Sequence, residues 1–124
     1  MSIVVAGLGF RRDCPAAELL SILGDARVRA GRNVDVLAVP DFKADEPGVR
    51  EAAKTLGLPL IRVGREALRG EQGRCLTNSE VARRATGFAS VAEAAALAAA
   101  GAGGTLLLPR IASATATCVL AEAP

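Results

Sequence analysis

The chain contains no histidine, no tryptophan and no tyrosine, and its 124 residues include only three phenylalanines and one methionine. Without an imidazole it cannot supply a Ser-His-Asp or Cys-His couple, a histidine general base or a histidine metal ligand. So few aromatics leave no stacking platform for single-stranded nucleic acid. The balance of 15 Lys+Arg against 13 Asp+Glu, a net charge of +2, gives no basic field to attract one. No nucleic-acid partner is expected. Cysteine is sparse: Cys14, Cys75 and Cys118 are odd in number, scattered and without Cys-x-x-Cys spacing. They read as reduced thiols of a cytoplasmic protein rather than a disulfide frame or a zinc site, and no metal or other cofactor is expected.

Long apolar runs are also missing. The opening Met1-Ser2-Ile3-Val4-Val5-Ala6-Gly7 has no basic residues before it, and Arg11 and Arg12 follow it, so a signal peptide is not expected. The apolar stretch 91–108 is mostly alanine, carries Glu93 and is broken by Gly101, Gly103 and Gly104, which argues against a membrane span.

What remains is 51% apolar and 23% charged, a globular composition, and the length suits one domain over residues 1–124. Short β-like runs alternate with helical spacing, the pattern of an α/β layer fold. Residues 3–6 form an apolar run stopped by Gly7. Asp13 is placed to cap a helix with Ala16, Leu19, Leu20 and Leu23 on one face and Gly24 at its end. A second strand spans 34–39. Asp45 then precedes a helix marked by Val49, Ala52, Ala53 and Leu56 and closed by Gly57, and a third strand covers 60–63. Residues 64–76 read as a short helix and an exposed loop. Capping-box spacing occurs at 77–80 and again at 90–93, the latter before an alanine-rich helix ending near Gly101. Strands at 105–108 and 115–121, about six residues apart, complete the chain as an antiparallel pair. The expectation is a three-layer α/β/α unit on a mixed, mostly parallel sheet of about five strands.

Candidate chemistry gathers where strands meet helices. Gly7-Leu8-Gly9-Phe10-Arg11-Arg12-Asp13 reads as a glycine-bearing turn in which Gly7 and Gly9 would let a ligand approach the backbone while Arg11 and Arg12 grip an anion. Lys43 follows the second strand and Arg110 the fourth, so with parallel strands these cations share the carboxyl edge of the sheet, where open α/β sheets bind ligands. Such a rim suits a substrate with several carboxylates. Ser113, Thr115 and Thr117 could donate hydrogen bonds to it. Asp41, Asp45 and Glu46 could act as acid or base or hold a water. Capping by Asp45 and a helix-dipole role for Glu46 are the favoured uses of those two, and a hydrolase would need a carboxylate such as Asp41 or Glu46 to orient water. Cys14 at a helix N-terminus has no partner base.

The segments Gly7-Leu8-Gly9-Phe10-Arg11-Arg12, Lys43-Ala44-Asp45-Glu46-Pro47-Gly48-Val49 and Leu56-Gly57-Leu58-Pro59-Leu60, with Ser90-Val91-Ala92-Glu93-Ala94-Ala95-Ala96-Leu97, a Leu-Pro-basic turn and the closing Ala114-Thr115-Ala116-Thr117, resemble the CobE/CbiG C-terminal domain family of cobalamin biosynthesis. The resemblance runs from Ile3 to about Ala121, and the domain-sized chain looks like the free-standing form. It departs from the family pattern at Phe10, usually Cys, at Asp13, usually Gly, and at Arg110, often Lys. The resemblance implies a part in corrin-ring assembly and a precorrin ligand, a tetrapyrrole rich in acetate and propionate groups, with other enzymes of the same pathway as further partners. Fused relatives carry a lactone-opening hydrolase activity, so enzymatic turnover and simple binding both stay open. Two other readings use the same residues: a small nucleotide- or phosphate-binding module at the glycine turn, which Asp13 disfavours, and a non-catalytic partner that docks through residues 64–76.

Overall fold

The computed structural model describes residues 2–75 and 91–124. In chain order these form β1 (Ile3–Phe10), α1 (Ala16–Ala30), β2 (Val36–Pro40), a 3-10 turn (Asp41–Lys43), α2 (Pro47–Leu56), β3 (Leu60–Val63), α3 (Arg65–Glu71) and a second 3-10 turn (Gln72–Arg74). Beyond residue 90 come α4 (Val91–Ala100), β4 (Thr105–Ala112) and β5 (Ala116–Ala123). The five strands make one sheet in the order β3-β2-β1-β5-β4. β1, β2 and β3 are parallel, and β5 runs antiparallel to both β1 and β4, which sets β4 in the direction of β1. The carboxyl ends of β1, β2, β3 and β4 therefore share one edge. The three-layer mixed sheet expected from the alternating pattern is the fold observed.

Strand alternation divides the core into two layers. Val4, Ala6, Leu8 and Phe10 of β1 pack with Leu19, Ile22 and Leu23 of α1 and with Val49, Ala52 and Ala53 of α2. Val5 faces the other way, into a layer made by Leu68 of α3 and by Ala92, Ala96 and Leu97 of α4. Glu93 is buried in the first turn of α4, where it has an interacting neighbour. Alanines bury little area, so α4 gains by coming close to the sheet. Gly7 makes this possible: a Cβ there would overlap the Ala92 carbonyl and lie 2.8 Å from the Ala96 Cβ.

That contact corrects the reading of residues 7–10 as a turn. They continue β1, paired with β5 through Gly7↔Val119, Gly9↔Thr117 and Phe10↔Ala116. A run of alternating Gly with Leu and Phe is a strand whose glycine side is covered by a helix. Other boundaries also differ. Helix α1 begins after Pro15, not under an Asp13 cap, and continues through Gly24 to a left-handed Gly31, because Ile22, Leu23 and Ala26 keep its buried stripe unbroken. Helix α2 starts with Pro47 at its first position, where the missing N–H is harmless, and Asp45 turns away to another partner. Finally, β4 extends to Ala112. Leu108 pairs with Leu120 and Ile111 with Cys118, so Pro109 and Arg110 together oppose Val119 in a bulge. An edge strand admits a proline there because its N–H side is not needed for pairing. The connection between β4 and β5 is thus residues 113–115. The capping-box residues 77–80 and Ser90 lie outside the described residues.

Candidate functional site

The carboxyl edge is assembled around the five residues, 11–15, that link β1 to α1. The Cys14 N–H donates to the Arg11 carbonyl at 3.2 Å, closing a turn in which Asp13 is the one non-glycine residue at positive φ (62°) among the described residues. Aspartate tolerates this left-handed conformation better than most residues, though less freely than glycine. On one flank, the Arg11 N–H donates to the Thr115 carbonyl at 3.0 Å, tying the turn to the β4–β5 hairpin. Ser113 shapes that hairpin: its Oγ accepts the Ala116 N–H at 3.1 Å, and its own N–H donates to the Ala116 carbonyl at 2.8 Å.

On the other flank the turn meets the segment between β2 and α2. The Asp13 N–H donates to Glu46 Oε1 at 2.9 Å, while Lys43 Nζ donates to Glu46 Oε2 at 3.0 Å. The Lys43 ammonium also lies 5.3 Å from the centre of the Phe10 ring, a cation–π contact against a buried aromatic. Gly48 allows the close approach, since a Cβ there would overlap the Cys14 carbonyl. One carboxylate thereby joins two crossovers at their tips.

Farther along the edge, Arg62 of β3 clamps two acids. Its Nε donates to Asp41 Oδ1 at 2.6 Å, and its terminal nitrogens reach the two Asp45 oxygens at 2.8 and 3.1 Å. The hydrogen bonds from Arg62, and then its charge, hold the Asp45 carboxyl below the usual carboxylate range. Arg62 is shifted in the opposite direction by the same pair of acids and stays protonated. The Arg65 guanidinium stacks 4.6 Å from the centre of the half-exposed Phe42 ring.

Of the residues singled out from sequence, the structure brings Arg11, Arg12, Lys43, Glu46 and Ser113 to one stretch of this edge. Arg11 and Arg12 are exposed and have no ion pair among the described residues. Gly9 is half-buried near the end of β1, where a Cβ would press on Thr117 Oγ1 at 2.7 Å. Gly7 is buried under α4, so its open space admits a helix and not a ligand. Arg110 is exposed, but it does not follow the fourth strand as expected. It sits inside β4, opposite Val119 and level with Gly7, set back from the carboxyl edge and two strands from β1, because β4 continues through the bulge to Ala112. Asp41 belongs to the Arg62 cluster. Sequence reasoning missed the Asp13 N–H as a donor and Arg62 as a clamp. A positively charged residue in a four-residue strand, facing Asp41 and Asp45 on the preceding crossover, was the available signal for the clamp. Residues 65–74, expected in part as a loop, are helical, with Leu68 buried and Arg74 bonded to Glu71 and to the Gly104 carbonyl. No helix is long and apolar enough to cross a membrane, and no metal-ligating cluster occurs, among the described residues.

A mixed five-stranded α/β/α layer protein with a cationic carboxyl edge is the class defined so far. The chain belongs to the family described as the cobalamin synthesis G C-terminus, whose model matches residues 4–121. It is 36% identical over 122 residues to Protein CobE of Sinorhizobium sp, covering 95% of this chain and 79% of that one. Among solved structures, CobE from the cobalamin (vitamin B12) biosynthetic pathway superposes with a TM-score of 0.91 at 40% identity, over 98% of this chain and 90% of that one. The cobalamin biosynthesis protein chiG from Agrobacterium tumefaciens str. C58 gives 0.79 at 39% identity, over 96% and 97%. A cobalamin biosynthesis protein G homolog from Sulfolobus solfataricus, 21% identical with a TM-score of 0.73, shares the fold, and this chain corresponds to 37% of it.

Proposed function

We propose that the chain binds a precorrin-type intermediate of corrin-ring assembly, a tetrapyrrole bearing several acetate and propionate carboxylates, at the carboxyl edge of its sheet. The observation that carries this reading is the placing of Arg11, Arg12 and Lys43, from two separate crossovers, around the single turn 11–14. Guanidinium groups engage carboxylates in bidentate fashion, and cations spaced along an edge match a macrocycle whose acids project around its rim. Sheet direction adds support: this turn and Lys43 follow the carboxyl ends of the parallel strands β1 and β2, the edge at which open α/β sheets usually bind ligands. Arg110, set back on β4, serves a more distant carboxylate. Membership of a cobalamin-biosynthesis family supports a tetrapyrrole-related ligand.

Binding is favoured over hydrolysis by the state of the two acids that would orient water. Asp41 accepts from Arg62 and Glu46 from Lys43 and the Asp13 N–H, so both are engaged within the protein. A carboxylate ligand is favoured over a pyrophosphate at this edge because residues 7–10 are strand and Gly7 is covered, so the link from β1 to α1 is not a glycine-rich loop that could wrap a phosphate. The test is an absorbance-monitored titration with uroporphyrin I, an eight-carboxylate tetrapyrrole. Arg12→Glu should weaken binding by about tenfold to a hundredfold, the loss of one charge-assisted contact worth roughly 1.5–3 kcal/mol. Equal affinity of the two proteins would overturn the reading.

A further inference from the structure

We infer that the Lys43 ammonium and the Asp13 N–H form a subsite for one carboxylate, and that Glu46 occupies it in the free protein. The inference rests on the binding role proposed above and specifies one of its contacts. The two donors come from different crossovers and converge on one carboxylate, one on each oxygen, at 3.0 and 2.9 Å. That is how a propionate would be held. Lys43 and Glu46 are each about one-fifth exposed, at 21% and 20%, so the site is sheltered yet reachable from the edge. Arg11 and Arg12 stand exposed in the same turn, with no ion pair among the described residues. The Asp13 N–H belongs to a turn that the Cys14–Arg11 hydrogen bond closes independently of Glu46, and its bond to Glu46 lies exposed at the surface.

Glu46 is not indispensable to its own helix: at the N-cap position of α2 its side chain makes no capping bond. Displaced, it would lie at the positive end of the α2 dipole, which favours a carboxylate. An incoming ligand carboxylate would thus exchange with Glu46, taking over both donors while Glu46 moves into water beside α2. The consequence is an affinity held below what Lys43 could give, and a discrimination against ligands that have no carboxylate to make the exchange.

Two probes test this. The Glu46→Gln substitution keeps an acceptor for the Asp13 N–H but removes the competing charge. Uroporphyrin I should then bind about two- to fivefold more tightly than to the native chain, the range of a modest, partly exposed ion pair. The gain should vanish when Lys43→Met is combined with it. Independently, propane-1,2,3-tricarboxylate should shift the Asp13 amide resonance at lower concentration in Glu46→Gln than in the native chain. Unchanged or weaker uroporphyrin binding by a folded Glu46→Gln protein, with native binding intact, would overturn the subsite and leave the binding role standing. If uroporphyrin binds neither protein, the binding role falls, and the Asp13 amide response to the tricarboxylate decides the subsite alone: the same response in both proteins overturns it.

Discussion

Gly7→Ala is the substitution that best separates packing from ligand approach. The added Cβ would overlap the Ala92 carbonyl and stand 2.8 Å from both the Ala96 amide nitrogen and the Ala96 Cβ. Two of these three obstacles are helix backbone, which cannot rotate away, so α4 must shift from β1. Overpacking of this kind costs about 1–3 kcal/mol. Replacing glycine returns up to roughly 0.5–1 kcal/mol through the unfolded chain; because the overlaps are with helix backbone the cost falls in the upper half of its range, which leaves a net loss of about 1–2 kcal/mol. With an unfolding entropy of about 2.1 cal/mol/K per residue, a chain of this length loses about 4–8 °C in Tm. Gly24→Ala is the matched control. That position lies within α1 with nothing within 4 Å of a new Cβ, so it should gain about 0.5–1 kcal/mol. Both are read by thermal and urea unfolding without ligand. A Gly7→Ala protein melting at or above the native midpoint would refute the seating of α4 on β1, and with it the account of why glycine stands there.

Two titration effects follow from the charges and burial described. Arg62 depresses the Asp45 carboxyl, so Asp45 contributes stability above its unfolded value near 3.8 that is lost as pH falls through the lower folded value. Carboxylate NMR should show a low Asp45 midpoint that returns to the ordinary range in Arg62→Met. Burial pushes the Cys118 thiol up to about 12, so its contribution is complete below the ordinary thiol range and is lost as pH rises toward that value. Alkylation at pH 8 should accordingly label Cys118 only through unfolding, and rapid labelling in the folded chain would contradict its burial.

The layer architecture was legible because apolar periodicity alone separates β1, α1, α2, β3 and α4, and because a short gap between two closing strands implies an antiparallel pair. Boundaries were less so, for a definite reason: glycine and proline signal a break in sequence but serve a neighbour in space. Gly7 and Gly9 looked like a turn because nothing local indicates that Ala92 and Ala96 lie over them. Gly24 looked like a cap because the stripe that continues through Ile22, Leu23 and Ala26 is anchored by strands distant in sequence. Pro109 looked like the end of a strand because its bulge is defined only by the pairing of β5. At the site, the grouping of Arg11, Arg12 and Lys43 follows from parallel strands and was readable. The Glu46 bridge was not, since it depends on a backbone N–H of one crossover meeting a side chain of another, 33 residues away in sequence.

The central claim is a place as much as an affinity. An opposite candidate exists on the molecule: a groove of about 260 Å³ between α1 and α2, lined by Leu20, Leu23, Val34, Leu56 and Leu58 at the amino edge of the sheet. Amide chemical-shift mapping with uroporphyrin I at saturation compares the two directly. The largest changes should fall on residues 11–14, on Lys43 and on 113–115, with Leu23 and Leu56 unmoved. Changes concentrated on Leu23, Val34 and Leu56, with the 11–14 turn silent, would contradict the account.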